Sequence, residues 1–109
     1  MTPRRGDVYW VQLDSVQGSE IAKTRPCVVM SKDLINEHRR TVVVVPLSSS
    51  PTSAPPLRVP VVCNGRPVVA ATDQIRAVSK LRLGGCLGQL SQHELDSIAD
   101  GLKVVLEIG

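Results

Sequence analysis

The stretch Thr41-Val42-Val43-Val44-Val45-Pro46-Leu47-Ser48-Ser49 contains four consecutive valines with no polar residue between them. β-Branched side chains favour a pleated strand, and a strand exposed on one face would alternate apolar with polar residues. This one does not alternate, so both of its faces are expected to be buried and it is read as a central strand. The apolar run stops at Leu47, well short of the ~20 residues that span a bilayer. Two hydroxyls, Ser48 and Ser49, mark the strand exit.

Working outward, most of the chain reads as further short strands. Residues 8–13, 26–31, 57–63 and 68–71 are rich in β-branched or aromatic residues, and two more strands are expected near 74–78 and 85–90. Gly, Pro and Ser clusters separate them, the pattern of a small barrel or sandwich. Two connections exceed what a hairpin needs. Residues 14–24 are polar and contain Gly18, while 48–56 read Ser-Ser-Ser-Pro-Thr-Ser-Ala-Pro-Pro, expected neither to pair in a sheet nor to form a helix. A short helix is expected over 32–38. The last element is a clear helix: Ser91 and Glu94 form a capping-box pattern, and Leu95, Ile98, Ala99, Leu102, Val105 and Leu106 recur on one face. Gly101 lies inside that helix, where it costs about 1 kcal/mol relative to Ala, and this points to close packing.

The 109 residues suit a single domain, 1–109. Hydrophobic residues make up 42% and charged residues 21%, which excludes a disordered tail or a helical membrane protein. The N-terminus, Met1 to Asp7, is basic with no apolar stretch behind it, so no signal peptide is expected. Three cysteines, Cys27, Cys63 and Cys86, stand far apart without a CxxC, which argues against a disulfide scaffold or structural zinc and for a cytoplasmic home. Charge is divided along the chain: residues 1–90 hold 12 Lys/Arg against 6 Asp/Glu, and residues 91–109 hold Lys103 against four carboxylates. A basic body of this kind suits a polyanionic ligand.

Catalytic motifs are mostly excluded. His38 and His93 stand apart, and no HExxH, Walker loop, GxSxG or carboxylate cluster occurs, so an enzyme of this sequence is expected to work without metal or cofactor. What remains is a set of polar groups at strand ends: Arg25 before Pro26, Ser48 and Ser49, Asp73-Gln74-Ile75-Arg76, and Lys80-Leu81-Arg82. Taken singly, each has an ordinary reading as surface charge, loop solvation or turn former.

In order along the chain, Gly6-Asp7-Val8-Tyr9-Trp10-Val11, Gly18-Ser19-Glu20, Lys23-Thr24-Arg25-Pro26, Val45-Pro46-Leu47-Ser48-Ser49 and Asp73-Gln74-Ile75-Arg76 resemble the MazF/PemK (Kid) toxins of bacterial type II toxin–antitoxin systems. The resemblance covers essentially the whole chain. It implies a mainly β fold with a C-terminal helix, an SH3-like small β-barrel that works as a homodimer. It also implies metal-independent, sequence-specific cleavage of single-stranded RNA, chiefly mRNA, and an acidic MazE-like antitoxin as partner. The family's catalytic arginine falls on Arg25. Its catalytic threonine falls on Ser48, a departure that keeps the hydroxyl and loses a methyl. Glu20 matches a loop glutamate of the family's site.

The residue chemistry agrees with that implication. Metal-free cleavage can use the 2′-OH as internal nucleophile, and the enzyme must then align it and stabilise charge on the phosphate oxygens. Arg25 supplies a fork of donors and Ser48 a neutral donor, while Glu20 is a better base than any arginine. Lys23, Thr24, Ser49, Arg76, Lys80 and Arg82 are candidate RNA contacts. Tyr9 and Trp10 are the only aromatics, and one of the two is expected to face the core, so base stacking is limited. Two other classes fit the barrel: a CcdB-like toxin that poisons DNA gyrase, and an inactive SH3-like RNA-binding or adaptor module. Arg25 together with Ser48 argues against the gyrase poison, which needs no phosphate-cleaving site.

Overall fold

The computed structural model describes residues 2–13, 24–49 and 54–109. Its elements run β1 (Asp7–Gln12), β2 (Thr24–Val29), α1 (Asp33–His38), β3 (Thr41–Ser48), β4 (Arg58–Cys63), β5 (Arg66–Ala71), β6 (Arg76–Ser79), β7 (Leu83–Gln89) and α2 (Gln92–Leu106). The strands form one antiparallel sheet in the order β4-β5-β3-β2-β1-β7, with β6 also on β3.

The valine run is the hub of this sheet. One side of β3 pairs with β2, from Cys27↔Pro46 to Val29↔Val44. The other side is shared: Thr41 to Val44 pair with β6, and Leu47 and Ser48 pair with β5. The sheet therefore parts at Pro46, where β5 and β6 diverge through a 3-10 turn at Thr72–Gln74. Both faces of β3 are covered, as the missing alternation requires. Val42 and Val44 join Tyr9, Val11, Leu13, Cys27, Val29 and Val78 in one cluster. Val45 and Leu47 join Val8, Val28 and the helix residues Leu95, Ile98 and Leu102 in the other.

Helix α2 closes the second cluster. Ser91 Oγ accepts from the Glu94 amide at 3.2 Å, and Glu94 Oε1 accepts from the Ser91 amide at 3.0 Å, completing the capping box. Gly101 is buried, and a Cβ there would stand 2.9 Å from the Pro56 carbonyl and 3.2 Å from both Thr72 and Val59. Thr72, fully buried, donates from Oγ1 to the same Pro56 carbonyl at 2.6 Å.

Two expectations need correction. Ser48 belongs to β3, paired with Val69, rather than to the loop after it. The far end of that connection is also paired: Ala54 and Arg58 exchange both backbone hydrogen bonds, at 3.1 and 2.9 Å, around a turn through Pro55 and Pro56. Proline lacks an amide but keeps its carbonyl, and the flanking Ala54 and Arg58 supply the amides. The long connection expected at 14–24 is described only at Thr24, which opens β2.

Candidate functional site

The parting of β5 from β6 leaves a cleft of about 380 Å³ lined by Leu13, Arg25, Pro46, Ser48, Arg58, Ala71, Gln74 and Arg76. Strand periodicity explains why these side chains meet. Arg25 and Ser48 each lie two residues beyond the pair Cys27↔Pro46, so they share the face of those residues. Arg76 is opposite Val44 on the other side of β3. Arg58 is opposite Ala71 on β5, which carries it alongside Ser48.

Three guanidinium groups thus converge on one concavity. Among the described residues the one ion pair is Arg4–Asp33, so no described carboxylate neutralises the three. The buried thiol of Cys27 lies close enough to feel both Arg25 and Arg76. Burial pushes it up to about 12, and the two cations draw it only partly back. Like charges gathered without a partner repel each other, and a multiply charged anion relieves that repulsion.

Arg25 also lines a second cleft, of about 610 Å³. Trp10, Pro26, Leu47, Val68 and Leu87 give it apolar walls, and Arg25, Arg66 and Ser49 give it polar ones. As expected, the aromatic pair divides: Tyr9 is buried and Trp10 is 42% exposed.

The sequence candidates separate accordingly. Arg25, Ser48 and Arg76 line the first cleft, and Arg25 and Ser49 the second. Thr24 is exposed next to Arg25 and pairs with Gln12. Lys80 lines a third cleft with Asp7, Tyr9 and Cys86. Arg82 donates from Nη1 to the Gln12 carbonyl at 3.1 Å. Glu20 and Lys23 lie outside the described residues. The sequence reading missed Arg58 and Arg66 as site residues. Arg58 opens β4 just after a proline pair, but its place beside Ser48 comes from the pairing of β4 with β5 and of β5 with β3, which no short stretch of sequence records. Among the described residues, no three His, Cys, Asp or Glu side chains gather closely enough to hold a metal ion. No described helix is long and apolar enough to cross a membrane.

Comparison with known proteins gives this arrangement a setting. Residues 4–106 match the family described as PemK-like, MazF-like toxin of type II toxin-antitoxin system. The chain is 33% identical over 114 residues to Endoribonuclease MazF9 of Mycobacterium tuberculosis (strain ATCC 25618 / H37Rv), covering 96% of this chain and 97% of the relative. It is 29% identical over 113 residues to Endoribonuclease EndoA of Bacillus subtilis (strain 168), covering 99% and 97%. A solved mycobacterial endoribonuclease in complex with its cognate antitoxin superposes with a TM-score of 0.83 at 24% identity, over 98% of this chain and 97% of that one.

Proposed function

The chain belongs to the PemK-like, MazF-like toxins of type II toxin–antitoxin systems, and we propose that it is a metal-independent, sequence-specific endoribonuclease of single-stranded RNA, chiefly mRNA. The observation that carries this reading is the convergence of Arg25, Arg58 and Arg76 with Ser48 on one cleft that no described carboxylate neutralises.

The 2′-oxygen attacks the adjacent phosphorus while the bond from phosphorus to the 5′-oxygen breaks. One RNA product ends in a 2′,3′-cyclic phosphate, and the other, once its leaving oxygen gains a proton, begins with a 5′-OH. Charge grows on the non-bridging oxygens along the way, and preformed donors lower that barrier. Arg25 presents its fork to those oxygens and Ser48 adds a hydroxyl donor. Arg58 and Arg76 hold the phosphate in place, so that the attacking and leaving oxygens line up. In this reading Glu20, outside the described residues, takes the 2′-proton, and Arg25 returns one to the leaving oxygen. Lys23, Thr24 and Ser49 extend contacts along the strand, with Lys80 and Arg82 further from the reacting phosphate.

The same reading makes the working unit a cytoplasmic homodimer held in check by an acidic antitoxin, in keeping with the mycobacterial relative solved with its cognate antitoxin. The test is cleavage of a single-stranded RNA by Arg25→Ala. Loss of one charged donor to the transition state is expected to slow turnover about 10²–10³-fold or more, with the melting temperature unchanged. Cleavage at the parent rate would overturn the assignment.

A further inference from the structure

Trp10 is the only tryptophan of the chain, and nothing in the cleavage scheme uses it. On β1 its neighbours Val8, Tyr9 and Val11 are buried, yet Trp10 is turned out into the second cleft. That cleft is a braced structure. The β4–β5 hairpin turns at Asn64 and Gly65, both at positive φ. Asn64 Nδ2 then donates to the Leu87 carbonyl at 2.7 Å and ties the turn to β7. At Gly88 a Cβ would come within 2.7 Å of the Asn64 amide oxygen, so glycine is what lets the two strands close at that point. The result is a preformed slot with a flat indole, aliphatic walls from Leu47, Val68 and Leu87, and a cation at Arg66.

Arg25 lines both this slot and the arginine cleft. A nucleotide has the same division, a charged phosphate joined to a flat, weakly polar ring. We propose that the Trp10 slot seats a nucleobase flanking the scissile phosphate, stacked on the indole, with Arg66 reading its edge. The proposal rests on the nuclease reading above. It adds that sequence preference at the flanking position is set by Trp10 and Arg66, while Asn64 is a positioning residue that keeps the slot closed. Stacking on an aromatic accepts any base, whereas Arg66 favours bases that present acceptors, so the two together give a graded preference.

Because the tryptophan is unique, its fluorescence reports this slot alone. The probes are a mixed-sequence single-stranded DNA decamer, which lacks the nucleophilic 2′-OH, and an abasic decamer with the same number of phosphates. The base-bearing strand is expected to quench Trp10 and the abasic strand to leave it nearly unchanged. Equal quenching by both, or none by either, would overturn the proposal. In cleavage, Trp10→Ala is expected to raise KM about 5- to 150-fold with a smaller change in kcat, as loss of stacking does. Trp10→Phe, which keeps a ring, recovers most of that loss and shows that folding is not the cause. Arg66→Gln shifts the preferred flanking base. A parent protein that cleaves while Trp10→Ala keeps its KM and motif would refute the base slot and leave the nuclease reading intact. A parent that cleaves nothing would refute the nuclease reading, and the fluorescence titration would still decide the slot.

Discussion

Ser48, where the resemblance implies a threonine, lies on β3, and that place sets what its substitution should do. The hydroxyl sits on the strand face shared with Arg25, so Ser48→Ala removes a neutral donor and is expected to slow cleavage about 10²-fold. Ser48→Thr restores the methyl in a β-strand, where β-branched residues are favoured, and is expected to match or exceed the parent rate. Single-turnover cleavage of one RNA by the three proteins checks both. Arg25→Lys should be nearly as poor as Arg25→Ala, because an ammonium is a point charge and cannot present two parallel donors. Arg58→Ala separates function from stability. It relieves repulsion among three cations that no described carboxylate neutralises, so the melting temperature should hold or rise while KM increases. The same cleft shapes thiol reactivity. With Cys27 buried and its thiol held up at about 12, alkylation at pH 8 followed by mass spectrometry should label exposed Cys86 quickly and Cys27 only after unfolding. Rapid labelling of Cys27 in the folded protein would show that this thiol is reached without unfolding.

At the scale of elements, α2 offers two contrasting tests. Gly101→Ala improves helix propensity by about 1 kcal/mol, yet its new methyl would meet a backbone carbonyl at 2.9 Å. Overpacking typically costs about 1–3 kcal/mol, so a lower melting temperature is expected despite the better helix former. Glu94 is perturbed in two directions: partial burial alone would raise its pKa, but hydrogen bonds from the Ser91 and Val62 amides and the Ser91 hydroxyl outweigh it and hold the carboxyl low. A folded-state value below the unfolded one, ~4.3 for glutamate, gives stability that is present above that pH and lost as pH falls through the folded value. Glu94→Gln should therefore destabilise the protein modestly at pH 7, as expected of a solvent-screened carboxylate, and the difference from the parent should shrink as pH falls through the folded value, as urea denaturation across a pH series would show. These local features were legible in the sequence, as was the central place of the valine strand, because capping, periodicity and burial on both faces are encoded within a few residues. Arg58 was not legible as a site residue. It reaches Ser48 only through the pairing of β4 with β5 and of β5 with β3, and no short window of sequence records that sum of registers. The same holds for Arg66 and the Asn64 strut, which depend on where the β4–β5 hairpin lands on β7.

Across the whole molecule, positive charge gathers in the body and negative charge in the final segment, with 12 Lys/Arg against 6 Asp/Glu over residues 1–90. An antitoxin that inhibits by covering the arginine cleft must supply carboxylates, and a segment that is disordered when free can fold onto the cleft as it binds. Its association rate should then be high at low salt and fall steeply with ionic strength, while inhibition persists wherever the complex forms. Stopped-flow binding of the neighbouring reading frame's product at two salt concentrations, read beside RNA cleavage, tests this. An on-rate indifferent to salt, or a bound partner that leaves cleavage unchanged, would contradict it. The proposed chemistry is cleavage of RNA at the arginine cleft through the RNA's own 2′-OH. Its most direct test is end-group analysis of products from single-stranded and duplex RNA incubated with the purified protein in excess EDTA. Cleavage of the single strand alone is expected, with 2′,3′-cyclic phosphate and 5′-OH ends. Strict dependence on a divalent metal, 5′-phosphate ends, or equal cleavage of the duplex would contradict it.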